Sequence, residues 1–289
     1  MTNAILTGLM LGGMYALIAM GLTLQYGVAR IMNLSYGEFL IAAAFASHWL
    51  FTGWAISPFV GLALVVPLAF VLNFAIYKLL LTPLVRRAPN RDALEVDSIL
   101  ATFGLTFIIQ GSMLALFGGA YYSYSFLAFP VQFLGETVAA NRLAALGITI
   151  LLGLALYAAL TRTRAGTAVR AVAVDPFAAQ LVAINVPQAS ALTFALGGAL
   201  VAAAGVLVST FLTFSASSGV VFTMKALIVV VMGGVGNMLG CLVAGLALGL
   251  SEALVASYVD PGLTLAVNFA LFLAVLLVKP AGLFGRATR

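Results

Sequence analysis

Residues 161–186, TRTRAGTAVRAVAVDPFAAQLVAINV, interrupt a chain that is otherwise apolar enough to cross a bilayer many times. Arg162, Arg164 and Arg170 come first. Asp175-Pro176 then offers an N-cap followed by the residue best tolerated at the first helical position. From Phe177 to Ile184 the sequence predicts about two turns of helix, ended by Asn185, which accepts the left-handed end conformation, and by Pro187. A short capped helix beside a basic run, held between two membrane segments, gives a soluble partner something rigid to push on. The competing reading is a helix lying flat on the membrane surface.

Outward from this segment the composition excludes a soluble protein. Of 289 residues, 64% are hydrophobic and 7% charged, against roughly 25% charged in soluble domains. Ten of the charges fall in two short stretches, 86–97 and 162–175, and the uncharged runs between them are the spans. The net charge of +5 comes from arginines flanking apolar segments, which is the positive-inside bias rather than a nucleic-acid surface. Cys241 is the only cysteine, so no intrachain disulfide is possible, and with His48 the only histidine a Cys/His metal cluster is excluded. No positive charge precedes Arg30, so the first apolar run reads as a retained span rather than a secretory leader.

The apolar runs are 4–26, 39–50, 58–81, 96–117, 143–160, 187–212, 220–232, 239–258 and 263–278, two of them short of the roughly 20 residues a crossing needs. The expected fold is all-α: a polytopic integral membrane protein with eight to nine transmembrane elements, at least one broken or re-entrant. The basic stretches 86–91 and 162–170 and the tail 279–289 are expected on the cytoplasmic side. Parity then favours nine elements and an outside N-terminus. Tyr121, Tyr122, Tyr124, Phe126 and Phe129, with Trp49 and Trp54, are expected to form an aromatic belt at the external interface.

Several residues do not suit a plain anchor. Asn33-Leu-Ser35-Tyr36-Gly-Glu38 breaks the apolar pattern. Glu38 reads either as a pathway or gate residue or, the favoured reading, as an interfacial carboxylate at the positive end of a helix. Ser98, Thr102, Thr106 and Gln110 recur every four residues, a polar stripe that belongs against protein or water and serves either packing or a pathway. Glu252 and Lys225 are open to pathway, ion-pair or snorkelling readings, while Asp260 beside Pro261 suits a turn. Gly233, Gly234, Gly236 and Asn237 lie in a stretch that lacks the Lys-Ser or Lys-Thr of a phosphate loop, so ATP hydrolysis by this chain is not expected. Its glycines fit a helix break of the kind found at partly unwound transporter elements. Gly8/Gly12 and Gly245/Gly249 have the small-xxx-small spacing of tight helix contacts.

Taken in order, GMYALIAMGLTLQYGVARIMNLSYGEF, ILATFGLTFIIQG, RAVAVDPFAAQLVAINVPQASALTFALGGALVAAAGVL, MKALIVVVMGGVGNMLGCLVAGLALGLSEAL and VKPAGLFG cover nearly the whole chain. They resemble the LivH-type permease subunit of branched-chain amino acid ABC importers. The chain departs from that family at Tyr36, where histidine is usual, at Phe177, usually acidic, and at Ala183, usually glycine. The resemblance implies a single permease domain over 1–289 in the bacterial inner membrane, with a cytoplasmic coupling segment at about 162–186. It further implies a second permease subunit (LivM-like or a second copy), two ABC ATPase subunits holding ATP and Mg, and a periplasmic substrate-binding protein. It assigns coupling to Arg170, Asp175, Pro176, Phe177, Ala178, Ala179, Leu181, Ala183, Ile184 and Asn185, with a small-molecule substrate and no cofactor in this chain. Two rivals remain: a self-sufficient secondary transporter or channel using Glu38 and Glu252, and a scaffold that transports nothing.

Overall fold

The computed structural model describes residues 1–133 and 135–285; the side chains of Arg91 and Asp92 and residues 286–289 of the basic tail lie outside the described residues. Hydrocarbon offers no hydrogen bonds, so each apolar run closes its own backbone bonds as helix. The helices are α1 (Thr2–Ala29), α2 (Tyr36–Trp54), α3 (Pro58–Ile76), α4 (Thr82–Arg87), α5 (Arg91–Phe117), α6 (Ala140–Arg162), α7 (Arg164–Val174), α8 (Pro176–Leu181), α9 (Val186–Ser209), α10 (Gly219–Gly233), α11 (Met238–Tyr258) and α12 (Thr264–Val278). A wide π turn at Tyr77–Leu81 joins α3 to α4. Pro83 explains it: the ring cannot donate to the preceding turn and pushes on it, while Thr82 Oγ1 donates back to Tyr77 O at 3.0 Å.

By length and composition seven helical stretches suffice to cross a membrane, and α10 is apolar but shorter. With α2, which carries Glu38 and His48, the described residues make nine transmembrane elements, α2 and α10 being the helical parts of theirs. A two-stranded hairpin that the sequence analysis did not expect, β1 (Pro130–Phe133) with β2 (Glu136–Ala139), sits before α6.

The direction of each helix follows from what its ends touch. Ala29 at the end of α1 clusters with Tyr77, Leu81 and Phe194, whereas Leu6 and Met10 near its start cluster with Val138 of β2. Arg30, Arg86, Arg87, Arg162, Arg164, Arg170 and Lys279 therefore gather at one end of the bundle, and among the described basic side chains only Arg142 belongs to the other. We call these the basic and the opposite end.

Two helices form the centre. Most of α1 and α9 is buried, while α5 and α12 show most of their surface to the surroundings. Glycine and alanine let the backbones close up: a Cβ on Gly8 would lie 2.8 Å from Leu250 Cα, one on Gly12 2.7 Å from Leu246 Cα, and one on Gly245 2.6 Å from Ala16 N. The two small-xxx-small patterns are thus the two faces of one α1–α11 contact.

The chain contains an inverted repeat. Helix α1 runs to the basic end, residues 30–35 return without helix to the middle of the bundle, and α2 completes the pass to the opposite end. Helix α9 runs the other way, residues 210–218 return from the opposite end, and α10 completes the pass to the basic end. The partners correspond too: α11 packs against α1 as α3 packs against α9.

Candidate functional site

The two half-passes meet with their N-termini together. Asn33 organises the first: its Oδ1 accepts from Ser35 N at 3.1 Å and Ser35 Oγ at 2.7 Å, and its Nδ2 donates to Gln25 Oε1 at 3.1 Å. Gln25 in turn donates to Phe194 O at 2.8 Å and Tyr36 OH to Gly197 O at 3.0 Å, which pins the non-helical stretch to α9. Gly197 lies about 16 Å along α9 from its start at 1.5 Å per residue, half of the roughly 30 Å hydrocarbon thickness. The start of α2 is therefore at mid-depth.

Glu38 is fully buried there, which corrects the interfacial reading. Its carboxylate lies against Gly219, the first residue of α10, where any Cβ would collide with it. Neither carboxylate oxygen has a hydrogen-bond partner among the described residues. Reciprocally, Gly37 N donates to Thr223 Oγ1 at 2.8 Å, and that hydroxyl donates to Leu34 O at 3.3 Å. Each helix N-terminus carries roughly half a positive elementary charge, so both facing ends favour a negative charge at this point. Ser35 and Ser218 occupy the N-cap positions, yet neither side chain caps its helix. Ser35 turns to Asn33 and Ser218 Oγ accepts from Ser215 N at 3.1 Å.

The polar stripe of α5 flanks this junction. Ser98, Thr102 and Thr106 are buried and Gln110 partly so. Thr102 Oγ1 accepts from Leu34 N and donates to Met32 O, both at 3.1 Å, satisfying backbone that the non-helical stretch leaves open. Ser98 and Thr106 return their hydroxyls to Glu95 O and Thr102 O of their own helix.

Other candidates lie elsewhere. Glu252 forms an ion pair with Lys225 at 2.7 Å; Lys225 Nζ also donates to Tyr15 OH at 2.7 Å, and Asn268 Nδ2 reaches Glu252 at 3.4 Å. Of the three readings open for these residues, the structure selects the ion pair, which fastens α10 to α11. Gly233, Gly234, Gly236 and Asn237 break the helix and let backbones approach as expected, a Cβ on Gly233 meeting the Gly240 backbone, but at a turn between two helices rather than at a partly unwound element. They form the tight α10–α11 turn at the basic end, with Gly234 and Gly236 at φ 96° and 85°. Residues 283–284 dock on this turn: Leu283 N donates to Met232 O at 2.7 Å and Asn237 Nδ2 to Phe284 O at 3.1 Å. The non-helical stretches 30–35 and 210–218 are marked by Asn and Ser because their side chains can hydrogen-bond the open backbone.

At the opposite end the aromatic belt is only partly observed. Trp49, Trp54, Tyr121 and Phe129 are exposed. Tyr122 and Tyr124 instead turn inward: Tyr122 exchanges backbone bonds with Phe214, and Tyr124 OH bridges Ser47 and Ser209 at 3.0 and 2.8 Å. Both rings pack near His48.

At the basic end the segment 162–186 forms a corner of two helices. Thr163 Oγ1 caps α7 through Gly166 N at 3.0 Å, and Val169 and Val172 bury one face of it. Arg170 is on the exposed side. Asp175 Oδ1 accepts from Phe177 N at 2.9 Å and Ala178 N at 3.2 Å, with Pro176 at the first helical position as expected. Ala179 is buried, while Phe177, Leu181 and Val182 are 72%, 75% and 69% exposed. Helix α8 stops at Leu181, shorter than expected. The residue that takes the left-handed conformation is Ala183, at φ 61°, whereas Asn185 caps α9 by accepting from Gln188 N at 3.0 Å. Ile184 N closes the turn onto Ala179 O.

Residues 4–276 match the family described as the branched-chain amino acid transport system permease component. The chain belongs to this permease family. LivH of Escherichia coli, a high-affinity branched-chain amino acid transport system permease protein, is 33% identical over 96% of this chain and 94% of its own length. BraD of Pseudomonas aeruginosa, of the same description, is 27% identical over 98% and 95%. A probable LivH of Methanocaldococcus jannaschii is 25% identical over 93% and 88%. No solved structure matches the chain. The permease is thus a multi-pass membrane protein and one component of a multi-subunit transport system.

Residues the sequence analysis passed over complete the permease's central junction: Gln25, Thr223, Ser215 and Ser218. Gln25 was visible as a large polar residue in the run 4–26, and the serines as the cluster SASSG at 215–219.

Proposed function

We propose that this chain is the membrane-spanning permease subunit of an ATP-driven ABC importer for branched-chain, neutral aliphatic amino acids. The basic end faces the cytoplasm of a bacterial inner membrane. A second permease subunit, LivM-like or a second copy, two ATPase subunits that hold ATP and Mg, and a periplasmic binding protein complete the machine.

The observation that carries this reading is the α7–α8 corner, taken with the family match. It presents Phe177, Leu181 and Val182 outward beside Arg170 while Val169, Val172 and Ala179 root it in the bundle, which suits a soluble partner that pushes. Movement of the corner passes directly into α9, whose cap is Asn185, and α9 holds the non-helical stretch through Gln25 and Tyr36. Asn33, Ser35, Tyr36 and Glu38, flanked by Ser98, Thr102, Thr106 and Gln110, form the element that opens to either side as α2 and α10 part. Glu252, neutralised by Lys225, serves cohesion of α10 and α11.

Uptake of labelled leucine into proteoliposomes tests this, with the chain reconstituted alone or with candidate permease and ATPase partners, binding protein outside and ATP inside. Uptake requiring ATP, the ATPase and the binding protein is expected. ATP-independent flux from the chain alone would overturn it in favour of a secondary transporter.

A further inference from the structure

Two open spaces in the bundle share lining residues, and only one of them is lined by charged side chains. At the basic end a cleft of about 460 Å³ lies between the end of α1, α6, α7 and the α10–α11 turn, and Arg30 and Arg170 line it. Among the described residues the structure has one ion pair, Lys225 with Glu252, and no described carboxylate pairs with Arg30 or Arg170. Asp175 is occupied in capping α8 and Glu95 accepts from Tyr26 OH at 2.9 Å. Towards the bilayer centre the cleft runs into a groove of about 500 Å³ between α1, α6 and α11, lined from Leu9 to Met20 of α1 and by Ile150 and Leu242 opposite. The two share Tyr157, Met238 and Leu239.

We propose that this composite space is a binding site for one anionic phospholipid of the cytoplasmic leaflet, its headgroup at Arg30 and Arg170 and one acyl chain in the groove. Lengths agree: Met20 to Leu9 spans about 16 Å at 1.5 Å per helical residue, close to half of the roughly 30 Å hydrocarbon core. The chemistry changes where a lipid's does, from two guanidiniums to an almost wholly apolar wall, with the half-exposed Tyr157 at the boundary, where tyrosine is favoured. Guanidinium forks match phosphate oxygens, and a basic pocket between helices on the cytoplasmic side is the expected seat of an anionic headgroup. The floor of the groove is open at Gly153, where a Cβ would meet nothing within 4 Å, so chain volume fits without displacing protein. The site needs the membrane orientation of the preceding section but not its substrate or its ATP dependence.

Native mass spectrometry of the delipidated, full-length chain, titrated with palmitoyl-oleoyl phosphatidylglycerol or with the matching phosphatidylethanolamine, tests it. A single saturable phosphatidylglycerol adduct, several-fold favoured over phosphatidylethanolamine, is expected. Arg30→Gln weakens it about fivefold, the worth of one basic residue beside an anionic headgroup. Gly153→Leu, which fills the groove, removes preferential binding of phosphatidylglycerol while the thermal midpoint stays within a few degrees of the parent's. Equal binding of both lipids, or a phosphatidylglycerol adduct unaffected by Gly153→Leu, overturns the proposal. So does efficient cross-linking of a Gly153→Cys variant to another permease subunit, because the groove would then be a protein interface.

Discussion

In the first half of the chain, the helix that starts at mid-depth begins Ser35-Tyr36-Gly37-Glu38 and brings a buried carboxylate that no side chain among the described residues answers. In the second half, the corresponding helix begins Ser218-Gly219 and carries Lys225, answered at 2.7 Å by Glu252 and steadied by Tyr15 and Asn268. One architecture thus holds charge inside a membrane in two ways. Burying an ion is costly unless it is paired or well solvated by dipoles. The second half meets this cost with a side-chain pair that ties α10 to α11, whereas the first sets its carboxylate beside the N-termini of α2 and α10 with no hydrogen-bond partner among the described residues. A pair binds two helices together, whereas a carboxylate held by helix ends is stabilised only while those ends face each other. This is why the proposed opening is placed at the α2–α10 junction.

That comparison can be broken at four points. The largest effect is expected at the shared scaffold. Gly249→Leu drives a side chain into α1 around Gly12, and overpacking of at least 1–3 kcal/mol in a contact with no room to give should leave no monodisperse permease on size exclusion in mild detergent. Recovery of well-folded protein would show that the tight α1–α11 contact is dispensable.

Next comes the ion pair. Glu252→Gln leaves Lys225 uncompensated and should cost about 3 kcal/mol in chemical unfolding, and adding Lys225→Met should return most of it. A double variant as unstable as the single would show that the two charges are not coupled.

Glu38→Gln removes the charge that the two N-termini offset while keeping the volume. A loss of about 1 to 2 kcal/mol is expected, with a lower thermal midpoint. An unchanged or higher midpoint would mean that the helix ends do not stabilise this carboxylate, and the contrast between the halves would fail. The smallest change is Thr223→Val, which takes the acceptor from Gly37 N. About 1 kcal/mol is expected, and faster amide exchange at Gly37 than in the parent should accompany it.

Much of this protein was legible one segment at a time. The runs 58–81, 96–117 and 239–258 became helices close to their predicted limits, and Asp175-Pro176 caps α8 as read. The run 220–232 looked short for the right reason, since α10 is only Gly219–Gly233, whereas 39–50 looked short because polar residues such as Glu38 and His48 interrupt the apolar pattern of the longer α2, Tyr36–Trp54. The glycine-rich stretch at 233–236 breaks the helix as read, but its place in the bundle was not legible. Three glycines in four residues signal a break in a helix anywhere, and composition does not say whether the break lies at mid-depth or in a surface turn. Ala183 shows the same limit. The left-handed turn falls on it rather than on Asn185, because the bonds from Ala183 N and Ile184 N back to Gln180 and Ala179 fix the geometry of the turn.

Sequence alone determined that the chain is a helical membrane protein, roughly where each pass lies and which loops carry the basic charge, because hydrocarbon forces every long apolar run to satisfy its own backbone and arginines resist crossing it. Only the tertiary structure decided the depth of Glu38, the partner of Lys225, the pairing of Gly8 and Gly12 with Gly245 and Gly249, and the inverted repeat. Those depend on which helices lie side by side, and their contacts join residues up to more than two hundred positions apart, such as Tyr15 and Lys225. Local periodicity carries no record of such distances.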